Sequence, residues 1–587
     1  MPANSRTWSD LGVVALLVVI VSTIYGARLA DQPAVGEECR WAVGAREMLA
    51  TGDWIVPRQQ GVVFPERPPM TMWLMAAVGW FRGEVDAIAI RLPSVVAIVL
   101  TSLLVYGYTR ALVSGFAAFV AALAYASMGQ VLQIGRMGES EAVFALFVSA
   151  SLLLWHLGYT CQWRPMATWS IGFGCAALAA LVKGPQAPVY FVAITAVYLA
   201  ARRDWRYLIS WQYAAGAAIF AVIIAAWQIP FYVATDFQSV AATWAGLATD
   251  RIFFSGLAKH LVIFPLETFA CLLPWSPILI ALAKRDTREL LADQKPLVLF
   301  LAIALAVAYP TVWIVAGAQA RYFMPLYPLI AVLVGLVIER CSVAALGRYP
   351  RRAWHQFLLC STTLVGLISL LALIPAKWAL GSYQPLWFSL ALVLIAAAAA
   401  AAIWKCYRSN SPSTRMIAVA TIAVFAGVTQ AGVAINANIA RWNDPTAAVA
   451  RVQQIISSTT PLVSLTAIDH RFVYFYDAPI AELDWPRDAD DLPLGVDYFC
   501  FMRNPGDTAR EREAGRGRRW TKTPGTLPFA WEEVATLCVE RRLRNVPQRI
   551  VVLGRVVKPR QAIVSDATVP QNGINLSVAT NNATAPR

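Results

Sequence analysis

The chain has 587 residues, of which 58% are apolar and only 14% are charged, and its formal net charge is +14. Soluble globular chains carry about 25% charged residues, so that class is excluded and a polytopic membrane protein is expected. The basic balance needs no nucleic acid, because no basic run is interleaved with aromatics and basic cytoplasmic loops beside anionic headgroups account for much of it.

Apolar runs long enough to cross a hydrocarbon core of about 30 Å recur from the N-terminus to about residue 437. They predict spans at 11–30, 90–112, 114–133, 139–160, 167–182, 185–201, 211–233, 262–283, 296–316, 322–340, 355–375, 384–404 and 416–437. The first, "LGVVALLVVIVSTIYGARLA", is longer than a signal-peptide core and lacks a small-x-small cleavage site, so it reads as a retained span. The loops "ARRDWRY", "AKRDTRELLADQK", "ERCSVAALGRYPRRAWH" and "KCYRSNSPSTR" hold most of the short-loop Lys and Arg. By the positive-inside rule they and the N-terminus are cytoplasmic. About thirteen spans then put the chain beyond residue 440 outside, in the periplasm of a bacterial inner membrane. The expected fold class is mainly α, a polytopic membrane domain over 1–440 carrying a small α/β domain over 441–560 and a disordered tail over 561–587.

Between the first two spans, residues 31–89 form an outer loop dense in charge, Trp and Pro. In "CRWAVGAREMLATG", Trp41, Ala45, Met48 and Leu49 recur at helical spacing before a glycine stop, which predicts a helix lying in the interface. "PPMTMWLMAAVGWF" is too short to span and predicts a second interfacial or re-entrant helix. Glu37, Glu38, Arg40, Arg46, Glu47, Glu66 and Arg67 are thereby held at the bilayer boundary, where ionisable groups are costly unless they are paired or solvated.

Further charges fall on the same outer face. Arg136, Glu139 and Glu141 lie in "GRMGESEAVF", Lys183 at the Gly-Pro break of "VKGPQAP", Arg251, Lys259 and His260 in a long outer loop, and Arg321 in "ARYFMPLYP". Carboxylates and cations in one outer cavity suit chemistry at a bond to a lipid phosphate. A carboxylate can deprotonate an attacking hydroxyl, and Arg or Lys can hold phosphate oxygens and stabilise a leaving group. Those cations suffice to neutralise a phosphate leaving group, so neither a metal nor another cofactor is expected. Plainer readings compete at each position: an interfacial salt bridge for Glu37 and Glu38, snorkelling headgroup anchors for Arg67 and Lys183, and an orienting role for Glu141.

In the tail, "NDPTAAVARVQQIISS" predicts a helix, whereas "PLVSLTA", "RFVYFY", "VDYFCFM" and "RIVVLGRVV" read as strands. "RNPGDTAREREAGRGRRWTKTPGT" reads as a mobile loop. The nine cysteines show no CxxC pair, and six of them lie in or beside spans. Cys500 and Cys538 fall in the outer domain, where a disulfide is permitted.

The stretch "EECRWAVGAREMLATGDWIVPRQQGVVFPERPP" resembles the first outer loop of the polyprenyl-phosphate-dependent GT-C glycosyltransferases, in particular the lipid A aminoarabinose transferases and protein O-mannosyltransferases. Glu38, Arg40, Arg46, Glu47, Met48, Leu49, Gly52, Asp53, Trp54, Pro57, Arg58, Pro68 and Pro69 keep that family's pattern. "RLPS" at 91–94, "KGP" at 183–185, "LPW" at 273–275 and "RYFMPLYP" at 321–328 resemble family stretches in matching order.

The resemblance implies an integral-membrane transferase. It would move a sugar from a polyprenyl-phosphate donor to a lipid A-like glycolipid, a protein or another envelope glycan, with inversion. The family's proposed catalytic Asp falls on Glu37, its phosphate-binding Lys before Pro-Pro falls on Arg67, and its Asp opening the fourth span falls near Glu141, with Glu139 as a rival. Each change keeps the charge. Glu37 and Glu141 are thus the catalytic candidates, and Glu38, Arg40, Arg67, Arg136, Glu139, Lys183, Arg251, His260 and Arg321 the substrate-binding ones. The alternatives are a transporter or flippase of lipid-linked sugars, which would place charge near mid-span and often show repeats, and an inactive sugar-lipid binder.

Overall fold

The computed structural model describes residues 4–236, 256–371, 386–436, 439, 445–457, 460–488, 491–493, 495–503, 527–540 and 549–557. The charged segment at 504–526, the tail beyond 557 and Arg251 lie outside these residues.

The molecule is mainly helical and multi-spanning. In chain order come α1 (Asn4–Gly26), α2 (Glu37–Thr51), β1 (Arg58–Gln59), β2 (Val62–Val63), α3 (Met70–Arg82), α4 (Ala87–Leu112), α5 (Gly115–Ser127), α6 (Gly129–Ile134), α7 (Ser140–Thr160), α8 (Pro165–Lys183), α9 (Gln186–Ala201), α10 (Trp205–Leu208) and α11 (Trp211–Ala234). Longer helices follow at Leu257–Cys271, Lys295–Trp313, Tyr327–Val343, Tyr349–Leu371, Leu386–Ser409 and Pro412–Thr429. Among the described residues, each predicted apolar run overlaps helix, though not always a single unbroken one. Among the described residues, eight helices are long and apolar enough to cross a membrane, or nine counting one bent pair, and three more are apolar but shorter. Polar caps mark several starts: Asp86 accepts from Ala89 N at 2.8 Å and Ser114 from Ala117 N at 3.1 Å, satisfying donors that a helix start leaves open.

Two predicted spans are interrupted. The run 262–283 bends by 114° between Leu257–Cys271 and Ser276–Ala283, where Pro274 supplies no N–H. The run 114–133 breaks at Met128, whose backbone is extended. The breaks serve each other, because Gly129 N donates to Leu273 O at 2.8 Å.

The C-terminal part forms a five-stranded sheet ordered β4-β3-β5-β7-β6, from β3 (Leu462–Leu465), β4 (Ile480–Leu483), β5 (Tyr498–Arg503), β6 (Trp531–Glu540) and β7 (Arg549–Val556). A helix over Thr446–Ile455 precedes it, as expected. The stretch "RFVYFY" corrects the prediction: it is helix, His470–Tyr476, crossing between the parallel strands β3 and β4. Asp469 caps its start by accepting from Arg471 N at 3.0 Å. Phe472 and Tyr476 stack one turn apart at 5.8 Å. A short apolar run has no period that separates strand from buried helix. The disulfide is not formed: β7 lies between the strands of Cys500 and Cys538, and Cys500 is a free, buried thiol.

The outer loop and this sheet share one apolar core. Trp41, Ala45 and Met48 of α2 and Met72 and Met75 of α3 pack with Val452, Phe472, Tyr476 and Val551. The apolar face of α2 is therefore covered by protein, where the sequence suggested lipid.

Candidate active site

The site is assembled where α2, the start of α7, the end of α8 and the 3-10 turn Ala320–Leu326 converge. Glu37 and Glu38 open α2, where carboxylates complement the exposed N–H groups of a helix start. Their surroundings differ sharply. The Glu38 side chain is 0% exposed and accepts from Arg91 Nε at 2.8 Å, Arg91 Nη2 at 2.9 Å, Val35 N at 2.9 Å and Gly138 N at 2.7 Å. Arg91 also donates to the carbonyls of Leu29, Gln32 and Pro33. This bidentate pair ties α2, α4 and the loop before α7 into one block.

Glu37 points elsewhere. Its side chain is 45% exposed and meets Arg40 at 3.3 Å. Arg40 in turn holds Glu66 at 2.7 Å and lies over the Phe64 ring at 4.5 Å. Arg67 follows Glu66, half-buried, immediately before the buried Pro68 and Pro69.

A second cluster lies within electrostatic reach of Glu37. Glu139, at the start of α7, meets Arg321 at 2.5 Å. The buried Glu141 accepts from Lys183 Nζ at 2.8 Å and has Arg321 Nε at 3.8 Å. Lys183 ends α8, where Gly184 takes a φ of 92° and breaks the helix. Its ammonium faces the rings of Tyr322 at 5.2 Å and Phe144 at 5.7 Å. Burial, followed by the charge of Glu141, pushes the Glu139 carboxyl up to about 8; Arg321 opposes the shift without cancelling it, and Glu38 and Glu37 add to it.

Arg136 caps the end of α1, donating from Nη2 to the carbonyls of Ala27 at 2.8 Å and Arg28 at 3.1 Å. Burial and the neighbouring Arg91 lower it to about 10. His260 sits on Leu257–Cys271 with its ring tilted against Phe264, and among the described residues no ion pair or hydrogen bond joins it to the carboxylates. No three His, Cys, Asp or Glu side chains among the described residues are placed to hold a metal ion.

An apolar groove of about 240 Å³ begins two residues from Arg321. It is lined by Pro265, Phe269, Leu272, Leu305, Tyr309 and Phe323, among others.

Of the sequence candidates, Glu37, Arg40, Glu139, Glu141, Lys183 and Arg321 thus fall in one region, and Glu38 and Arg136 lie in the scaffold beside it. The residue missed was Arg91. An arginine in the first turns of an apolar helix is itself a signal, and here it opens the "RLPS" stretch.

Residues 66–229 match the family described as dolichyl-phosphate-mannose-protein mannosyltransferase. The undecaprenyl phosphate-alpha-4-amino-4-deoxy-L-arabinose arabinosyl transferase of Edwardsiella ictaluri is 36% identical over 152 residues, 26% of either chain. A second enzyme of that name in Proteus mirabilis is 32% identical over 188 residues, 31% of this chain and 33% of the relative. The aligned segment therefore spans only a quarter to a third of these relatives. In fold the likeness is wider. The crystal structure of ArnT from Cupriavidus metallidurans bound to undecaprenyl phosphate matches with a TM-score of 0.65 and 16% identity, covering 94% of this chain and 98% of that one. The same protein in the apo state matches with the same TM-score. The chain resembles the polyprenyl-phosphate glycosyltransferases in sequence over a quarter to a third of its length, residues 66–229 in the family match, and resembles ArnT in fold over nearly its whole length.

Proposed function

We propose that this chain is an integral-membrane glycosyltransferase that takes a sugar from a polyprenyl-phosphate donor and delivers it to an acceptor hydroxyl on a lipid A-like glycolipid at the outer face. The observation that supports the reading is the 45% exposed carboxylate of Glu37, whose charge acts on Glu139 and Arg321, within a cluster of partly buried acid–base pairs that contains the cations Lys183 and Arg321. The relatives' printed donor, an undecaprenyl-phosphate aminoarabinose, makes an amino-pentose the donor sugar to try first.

In this reading the acceptor oxygen attacks the anomeric carbon as the bond from that carbon to the phosphate oxygen breaks. Glu37 takes the hydroxyl proton, and polyprenyl phosphate leaves with the bonding pair. Attack opposite the leaving group inverts the anomeric centre. Lys183, Arg321 and Arg67 hold the phosphate and stabilise its growing charge. Glu141 positions Lys183, and a protonated Glu139 releases Arg321 to the phosphate. The apolar groove beside Phe323 suits an isoprenoid tail. The Glu38–Arg91 block fixes the height of α2 and so the reach of Glu37. The N-terminus is cytoplasmic and the C-terminal sheet periplasmic, which puts the site where lipid-linked sugars are consumed.

The test uses proteoliposomes charged with undecaprenyl-phosphate-linked sugars and a lipid A acceptor. Wild type is expected to release free polyprenyl phosphate. Glu37→Gln is expected to lose about 10²–10⁴-fold in turnover, the range for a general base, while binding donor normally. Donor binding without turnover in wild type would make the chain a binder, and no donor binding would return it to the transporter class.

A further inference from the structure

Gln60 and Gly61 form the turn of the β1–β2 hairpin with φ of 55° and 81°, the paired left-handed geometry of a tight two-residue turn. The two turn N–H groups point back at α2, where the Glu47 carboxylate accepts from Gln60 N and, at 3.1 Å, from Gly61 N. The Gln60 side chain runs the opposite way, into the C-terminal sheet. Its Nε2 donates to Ser464 Oγ at 3.0 Å and to Ile480 O at 3.2 Å, while the backbone carbonyl of Gln60, which a glycine would keep, accepts from Glu482 N at 3.2 Å. Gln60 is 7% exposed and Ser464 0%.

A left-handed backbone disfavours a residue with a long side chain by about 1–2 kcal/mol and favours glycine. The hydrogen bonds into β3 and β4 give the reason for an amide here. The next residue back completes the connection: Gln59 Nε2 donates to Arg40 O at 3.0 Å, and Arg40 pairs with Glu37 and Glu66. A second fastening runs alongside, where Arg46 of α2 donates to Tyr474 O at 2.6 Å and pairs with Asp477 at 3.1 Å.

We infer that Gln60 is a positioning residue through which the C-terminal sheet sets the placement of α2, and with it Glu37, against the acceptor. The inference rests on the transferase reading in which Glu37 is the base. A displacement of about 1 Å at a reacting group costs about 100-fold in rate, so a tie three helical turns from Glu37 has kinetic consequences.

The experiment takes the full chain in lipid nanodiscs and compares wild type, Gln60→Gly, Ser464→Ala and the double variant. Gln60→Gly removes the side chain and keeps the turn, because glycine accepts a positive φ. The expected result is a fall in kcat of about tenfold or more with donor KM unchanged, the split that marks loss of transition-state positioning, and with thermal unfolding unchanged. The double variant is expected to fall no further than Gln60→Gly, the non-additivity of two groups sharing one bond. Amide hydrogen exchange over residues 37–51 is expected to quicken in Gln60→Gly. Wild-type kcat together with wild-type exchange would overturn the inference. So would a lowered unfolding temperature with unchanged kcat per folded molecule, or additive effects in the double variant. Were wild type itself inactive with every donor, the transferase reading would fail, and the exchange data alone would decide whether the sheet holds α2 through Gln60.

Discussion

Adjacent carboxylates on α2 have opposite fates. Successive helical residues point about 100° apart, so one face of α2 sends Glu38 into a fully bonded pair with Arg91 while the next sends Glu37 to solvent. Both residues stood out in the sequence. Which of them would be sealed did not, because that depends on α4 and the loop at Gly138, elements about 50 and 100 residues away. The cluster of Glu139, Glu141, Lys183 and Arg321 was legible as a set of outer-face charges, and its pairing was not. Glu139 yields a pH prediction. With the carboxyl pushed up to about 8, the proposed mechanism has it protonated at neutral pH, which would leave Arg321 to a phosphate. Above that value the carboxylate competes for Arg321, so donor affinity is expected to fall as pH rises past 8, by at most about tenfold per unit for one linked proton. Titrating donor binding between pH 6 and 10 checks this, and Glu139→Gln is expected to flatten the curve.

At the scale of elements, the spanning helices were the most legible part, since twenty apolar residues with few charges permit little else in a bilayer. Their interruptions were not, because the breaks at Met128 and Pro274 are answered by each other through Gly129 and Leu273. The aromatic run "RFVYFY" misled for the same reason: its helix is stabilised by a cap and by burial under neighbouring elements, and both are tertiary facts. Helix contacts inside the bundle rest on small residues. A Cβ on Gly335, in Tyr327–Val343, would meet Ala117 O and come within 2.9 Å of Ala121 Cβ on α5. Gly335→Val is therefore expected to destabilise the bundle by about 1–3 kcal/mol, the usual cost of overpacking. A lower unfolding temperature in detergent, with turnover per folded molecule kept, would register it.

Across the whole molecule, the outer loop is sandwiched between the membrane helices and the C-terminal sheet, sharing one core with both. The sequence showed an α/β appendage, and nothing in its local pattern said that it would cover α2, since that contact joins segments some 400 residues apart. The groove beside Phe323 has a different consequence. Phe269 on its wall is 39% exposed, so the groove is open along the side of the helix bundle, and in the proposed membrane setting that opening would face acyl chains. A donor anchored by its tail would arrive by sliding within the leaflet, and the bulk volume of the sample would not enter its encounter rate. Adding inert phospholipid at fixed amounts of protein and donor is then expected to slow turnover in proportion to the donor's falling mole fraction, whereas adding buffer is expected to change nothing. The enzyme would read a surface density, and the cell could regulate it by the lipid composition of one monolayer.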